Sequence, residues 1–199
     1  MIGEYGGTWM GFNEKGTMDP VPHKDNAIAL PEEIQDLVRQ VTEGEFSDTM
    51  FYDHTKFTMA SVEMRTGFTE EERINKFVPA QQRLASRLRE FVREIGLDSE
   101  FKVHSTTIAT DVTNIHVGKD FAMQRAVAWL KQRRILPKKY ITFGDSDTDF
   151  DMARQLHEEG MNVEHVHVGN SQAPEGLPFK VTVTNGKFNN GTKEFLQQK

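Results

Sequence analysis

The sequence predicts an α/β fold in which part of a parallel-sheet core is interrupted by an inserted α+β segment. Three observations lead there. The run Tyr140-Ile141-Thr142-Phe143 leads into Gly144 and Asp145; aromatic and β-branched residues ending in a glycine read as a buried strand. After Asn114, helical and strand patterns alternate, which implies parallel pairing with right-handed crossovers. Residues 13–113 instead mix paired strand patterns with two helical regions. The expected domains are therefore a core from 1–12 and 114–199 and an insertion from 13–113, with the first core strand drawn from residues 1–12.

Composition sets outer limits. A chain of 199 residues can form one large domain or two small ones, each with its own core. Hydrophobic content of 37% and charged content of 27% are ordinary for a globular protein. A net charge of −6 without a basic stripe argues against nucleic acid or an anionic membrane as partner. The absence of cysteine excludes disulfides and thiolate metal sites. No apolar run approaches the roughly 20 residues that span a bilayer, and residues 1–12 lack a signal-peptide pattern. A cytoplasmic location is the expectation.

Residues 1–12 are glycine-rich and strand-like around Ile2–Tyr5 and Thr8–Phe12. So abrupt a start reads as a cut inside a longer protein. Residues 13–26 carry the turn formers Gly16, Asp19, Pro20 and Pro22 and read as a loop. Pro31 and the acidic pair Glu32 and Glu33 then open a helix with Ile34, Leu37, Val38 and Val41 on one face.

Met50–Tyr52 and Lys56–Met64 read as strands. Thr69 through Glu72 fits a capping box, followed by a long helix ended by Gly96. Its apolar face runs through Phe77, Leu84, Leu88 and Val92. Pro79 inside it predicts a kink or two abutting helices. Arg83, Arg87, Arg89 and Arg93 form its solvated face.

Phe101–Ile108 and Val112–Val117 read as strands with a turn near Thr110-Asp111. Gly118-Lys119-Asp120 opens a helix with Ala122, Ala126, Trp129 and Leu130 inward. The strand Tyr140–Phe143 and a helix from Phe150 to Glu158, closed by Gly160, follow. Val163–Val168 alternates as a strand, with His165 and His167 placed on an exposed face. A loop over 169–178, a strand over Phe179–Thr184 and a short helix near Thr192–Gln197 complete the chain.

Chemistry concentrates after Gly144. Asp145, Asp147, Asp149 and Asp151 alternate. Asp145 is placed at the carboxyl end of a strand, where open α/β sheets bind ligands. Clustered carboxylates repel unless a cation joins them, and oxygen ligands suit Mg²⁺. Aspartates at a helix start also cap free N–H groups, which is the plainer reading of Asp147 and Asp151. An EF-hand loop is rejected, because Phe150 and Leu156 stand where it needs glycine and glutamate.

Lys119 opening a helix, then Phe143-Gly144-Asp145-Ser146 through Asp149 and Met152, resembles the last two motifs of the haloacid dehalogenase (HAD) superfamily. The Cof-type and sucrose-phosphate-phosphatase-like branch, the cap-containing subfamily IIB, is the most similar. The resemblance is specific over 102–170, and Glu4-Tyr5-Gly6-Gly7 resembles the core segment leading into the cap. It implies a HAD-like Rossmannoid core with an α+β cap and a Mg²⁺-dependent phosphatase working through an aspartyl-phosphate. It further implies that Asp145 holds Mg²⁺, Asp149 supports the metal site, and Lys119 pairs with phosphate and nucleophile. Thr148 stands where Cof-type relatives carry a substrate-contacting asparagine. The implied substrate is a small phosphorylated molecule, a sugar phosphate.

The departures matter as much. The family's Asp-x-Asp-x-Thr nucleophile motif is missing from the 199 residues, as is the motif-two Ser/Thr. Asp53 is the nearest substitute, but Thr55 and Phe57 stand where the second aspartate and the threonine belong. The expectation is the cap and C-terminal core of a phosphatase, inactive in isolation. The alternative is an inactive HAD-fold protein that binds a phosphorylated ligand, or a partner protein through an open sheet edge.

Overall fold

Residues 1–11, 17 and 22–198 are described by the computed structural model. Gly16, Asp19 and Pro20, three of the expected turn formers, lie outside the described residues, as does Phe12 at the end of the expected strand. The chain divides into two compact units. One is Gly7–Val117 with Met1 and Gly3; the other is Gly118–Lys199 with Ile2 and Glu4–Gly6.

The first unit is built on a four-stranded antiparallel sheet. Its strands are β4 (Met50–Tyr52), β5 (Ala60–Met64), β6 (Phe101–Ser105) and β7 (Ala109–Asn114), in the order β4-β5-β7-β6. The numbering follows three two-residue strands, β1 (Ile2–Gly3), β2 (Thr8–Trp9) and β3 (His23–Lys24). Two helices pack against the sheet: α1 (Glu32–Glu45) and α3 (Val78–Glu94). Their apolar stripes meet Met50, Val62, Phe101 and Val112 in one core with Ile34, Val38, Leu84 and Leu88, all 5% exposed or less. The helical spacing of these residues is what lets one face of each helix reach the sheet.

The expected capping box forms: the Thr69 hydroxyl accepts from Glu72 N–H, and the Glu72 carboxylate accepts from Thr69 N–H. It starts the single turn α2 (Glu70–Glu72). A π-helical turn, Arg73–Phe77, joins α2 to α3. Pro79 has no N–H to donate. The wider turn before it absorbs that gap, so the irregularity precedes the proline and the long helix is otherwise continuous. Gly96 at φ +73° ends it, with Leu97 N–H reaching Val92 O.

Two strand readings need correction. The second strand begins at Ala60, not Lys56, because Asp53 closes a tight turn with Thr55 and Lys56. The β6–β7 turn lies at Thr106–Ile108, not at Thr110-Asp111. There the Thr106 hydroxyl accepts from Ala109 N–H, and Asp111 sits inside β7 opposite Ser61 and His104. His23–Lys24, inside the expected loop, pairs antiparallel with Thr8–Trp9.

The second unit carries a three-stranded parallel sheet, β10-β9-β8, from β8 (Tyr140–Gly144), β9 (Val163–His167) and β10 (Lys180–Val183). The expectation that residues 1–12 supply its first strand is not met among the described residues: Thr8–Trp9 belongs to the separate small sheet. Helices α4 (Lys119–Gln132) and α5 (Phe150–Glu158) pack together, with Met123 and Val127 meeting Ala153, Leu156 and Val163. The inner residues of α4 are thus displaced from the expected set of Ala122, Ala126, Trp129 and Leu130, of which none is fully buried. Helix α6 (Asn189–Gln197) brings Phe195 to Val166 and Val168.

Both faces of β9 are therefore covered, and this overturns the exposed-face reading of the histidines. His165 and His167 are fully buried and both rings pack on Phe150, at centroid distances of 4.1 and 5.5 Å. A central strand between two helical layers buries alternate residues on both sides.

Candidate functional site

The carboxyl end of β8 gathers the chemistry. Gly144 is not in a left-handed conformation. What it provides is proximity, since a Cβ there would lie 1.9 Å from Asp149 Cβ. The Asp149 side chain occupies the space a β-carbon would need, and so folds back over the strand end.

There Asp149 acts as a bracket. Its Oδ2 accepts from Asp145 N–H at 3.0 Å, Ser146 N–H at 3.0 Å and the Ser146 hydroxyl at 2.7 Å. With the Ser146 side chain reaching Asp149 N–H, this is a reciprocal cap on the turn that enters α5. The capping role considered for Asp147 and Asp151 thus belongs to Asp149. The other oxygen, Oδ1, pairs with Lys119 Nζ. Burial pushes the Asp149 carboxyl up, but hydrogen bonds from Lys119 and Ser146 outweigh it and hold it below the usual range.

Lys119 is the first residue of α4. Besides Asp149 it reaches Thr148 Oγ1 at 3.1 Å, and Thr148 in turn lies 3.2 Å from Ser146 Oγ. The structure therefore brings Lys119, Thr148 and Asp149 together. Asp145 is different: its residue is exposed and its carboxylate makes no hydrogen bond or ion pair with the described residues. Its backbone is fixed instead. The Asp145 carbonyl abuts Gly169, where a Cβ would come within 2.1 Å.

Among the described residues, no three His, Asp or Glu side chains converge as a metal-holding group. The donor chemistry nonetheless fits Mg²⁺ in part. Mg²⁺ keeps several waters and takes one or two carboxylates together with phosphate oxygens. Asp145 offers a free carboxylate; Asp149, already holding four donors, is suited to fixing the loop around it.

Asp53 lies in the other unit. Its Oδ1 accepts from the Thr55 N–H and hydroxyl, and Oδ2 pairs with Lys56 at 2.9 Å. Burial raises its pKa, but bonds from Thr55 and Lys56 bring it down to about 2. A carboxylate so engaged is a turn former. A second buried network there escaped the sequence reading: Ser61 Oγ donates to Asp111 at 2.6 Å, and His104 Nε2 lies 3.5 Å from the same carboxylate. Ser61 stands in register with Asp111 across the sheet, a pairing that a turn placed at Thr110-Asp111 conceals.

In the second unit, Glu164 is also fully buried. It is held by Lys139, by Lys180 at 2.8 Å and by the Thr182 hydroxyl at 2.6 Å. It braces the parallel sheet and lies outside the Asp145 cluster.

No family model matches the chain, and no curated protein matches it. Solved structures do. The C-terminal domain of a C. albicans trehalose-6-phosphate phosphatase aligns over 88% of this chain and 63% of its own, with 16% identity and a TM-score of 0.55. A trehalose-6-phosphate phosphatase related protein aligns over 98% and 69%, with 13% identity and a TM-score of 0.52. The sucrose-phosphatase of Synechocystis, in complex with sucrose and phosphate, aligns over 84% and 63%, with 14% identity and a TM-score of 0.42. The chain thus spans between 63% and 69% of these three structures' own lengths. The first two likenesses establish the fold.

Proposed function

We propose that this chain, whose fold is HAD-like, is the cap and C-terminal core of a Mg²⁺-dependent phosphate-monoester hydrolase acting on a sugar phosphate. In this reading Gly118–Lys199 with Glu4–Gly6 is the core part and Gly7–Val117 the cap. The observation that carries it is the meeting of Lys119, Thr148 and Asp149 beside the free Asp145 carboxylate at the end of a parallel strand. That position is where open α/β sheets take ligands. The trehalose-6-phosphate phosphatases that share the fold support a sugar phosphate as the substrate class.

Each residue has a distinct task. Asp145 holds the cation. Asp149 fixes the Asp145–Ser146 backbone and orients Lys119. The Lys119 ammonium, half-buried at the helix start, pairs with a phosphoryl oxygen, and Thr148 offers a hydroxyl beside it. Mg²⁺, when bound, neutralises charge on the phosphoryl group. The nucleophilic carboxylate is not among these 199 residues, and the outer edge of β8 pairs with no other strand among the described residues. An additional strand bringing the nucleophile would lie there.

The test is calorimetric titration of inorganic phosphate with and without Mg²⁺, beside a p-nitrophenyl phosphate assay. Mg²⁺-dependent phosphate binding is expected, weakened at least about tenfold in Lys119→Met and Asp145→Asn, with negligible turnover. Turnover that Asp145→Asn abolishes would place a nucleophile within this chain, and Asp53 would be the first residue to replace. Phosphate binding indifferent to both substitutions would overturn the assignment of the site.

A further inference from the structure

We propose that His167 is a positioning residue for Asp145, fastening the turn that follows β9 against the Asp145 backbone while bracing the start of α5. The proposal rests on the reading of Asp145 as the cation-holding carboxylate.

The ring is fully buried. In the sheet, His167 stands in register with Gly144, and the next residue, Val168, donates its N–H to Gly144 O at 2.8 Å. The chain then turns at Gly169, whose Cα packs so closely on the Asp145 carbonyl that only glycine fits. The His167 ring closes this turn: Nε2 lies 2.8 Å from Ser171 O. A carbonyl only accepts, so Nε2 carries the proton. Nδ1 has no partner among the described residues, so Nε2 makes the ring's link to this turn. The same ring lies against Phe150, at 5.5 Å and 28°, and Phe150 follows Asp149 directly. One side chain thus touches both the turn that holds the Asp145 backbone and the residue that anchors the Asp149 bracket. A phenylalanine would fill the space without fastening the turn.

His167→Phe keeps the ring and deletes the donor. Amide exchange is expected to rise at least about tenfold at Asp145 and Ser146, whose N–H groups the bracket protects, and to stay within about twofold at Phe143 and Val166. Mg²⁺ affinity, measured by titration with the metal alone, is expected to fall about 10–100-fold, the cost typical of losing an outer-shell partner. His167→Gln, retaining an amide donor, should recover part of both. His165→Phe removes a comparable ring bond, to Thr142 at 2.8 Å, and should leave Asp145 exchange unchanged.

Should His167→Phe fail to fold, Gly169→Ala provides a second test. It pushes the turn off Asp145 with His167 intact, and the same two losses are expected. Unchanged Asp145 exchange in a folded His167→Phe or Gly169→Ala chain would overturn the proposal. Faster exchange in a chain whose wild type binds no Mg²⁺ would uphold the positioning role and overturn the metal reading instead.

Discussion

The Lys119 ammonium donates to Oδ1 of Asp149, joining the first residue of α4 to the residue before α5 across 30 positions of sequence. The same carboxylate, through Oδ2, gathers three donors from Asp145 and Ser146. One side chain therefore ties a helix start, a strand end and a capping turn.

This linkage predicts coupling between the two residues. Lys119→Met leaves the Asp149 charge buried with its remaining donors and should cost about 1–3 kcal/mol in chemical denaturation. Asp149→Asn should cost a similar amount. The double substitution should cost clearly less than the sum, because each single change removes the same contact. Strict additivity would show that the pair is not coupled.

Gly144 should tolerate no side chain. In Gly144→Ala the new carbon meets Asp149 Cβ, which cannot swing away without releasing its bracket, so a loss of about 1–3 kcal/mol is expected. Gly44 offers the contrast. It lies in α1 with nothing within 4 Å of an added Cβ, and Gly44→Ala should stabilise by about 0.5–1 kcal/mol. Thermal unfolding of the two variants should therefore move in opposite directions.

Acid should destabilise the second unit in two stages. Burial, with a smaller contribution from His167, pushes the His165 pKa down to about 4 from an ordinary 6.5. The folded state thus binds this proton less readily than the unfolded chain. Stability is fully present above pH 6.5 and falls as pH drops towards 4, by about 2–3 kcal/mol. Burial raises Glu164, but Lys139, Lys180 and Thr182 outweigh it and hold it at about 2 against an ordinary 4.5. Its contribution is present above pH 4.5 and lost as pH falls towards 2. That loss is on the order of 2 kcal/mol once screening at the exposed Lys180 end is allowed for. Denaturant midpoints measured from pH 7.5 to 2.5 should show both limbs. His165→Phe should flatten only the upper one.

Thr69→Ala should cost about 1 kcal/mol, because it leaves Glu72 N–H without its cap. Thr69→Ser, which retains the hydroxyl, should cost a few tenths. Equal losses in the two variants would shift the explanation from the hydrogen bond to the threonine methyl.

Features that depend on neighbours along the chain were legible in the residues alone. Thr69 and Glu72 find each other three residues apart, so their box was legible. The stripe Leu84, Leu88 and Val92 has helical spacing, so the buried face of α3 was legible. Gly96 and Gly160 stop helices by local backbone conformation, at φ +73° and +74°. The strand Tyr140–Phe143 running into Gly144 and Asp145 marked where the candidate site lies, and Lys119 was marked by its place at a helix start.

Features that depend on partners far along the chain emerged with the packing of the folded molecule. Whether His165 and His167 face water was settled by a helical layer on each side of β9, which period-two alternation cannot reveal. That Asp149 brackets the loop while Asp145 stays free followed from the space above Gly144, the Ser146 cap and the arrival of Lys119 from another helix. Asp111 lay inside a strand and not in a turn because Ser61 and His104, 50 residues away and across the hairpin, receive its carboxylate. The physical reason is the same in each case. Backbone propensity and capping act within a few residues, whereas burial and charge pairing are properties of the space that distant segments enclose together.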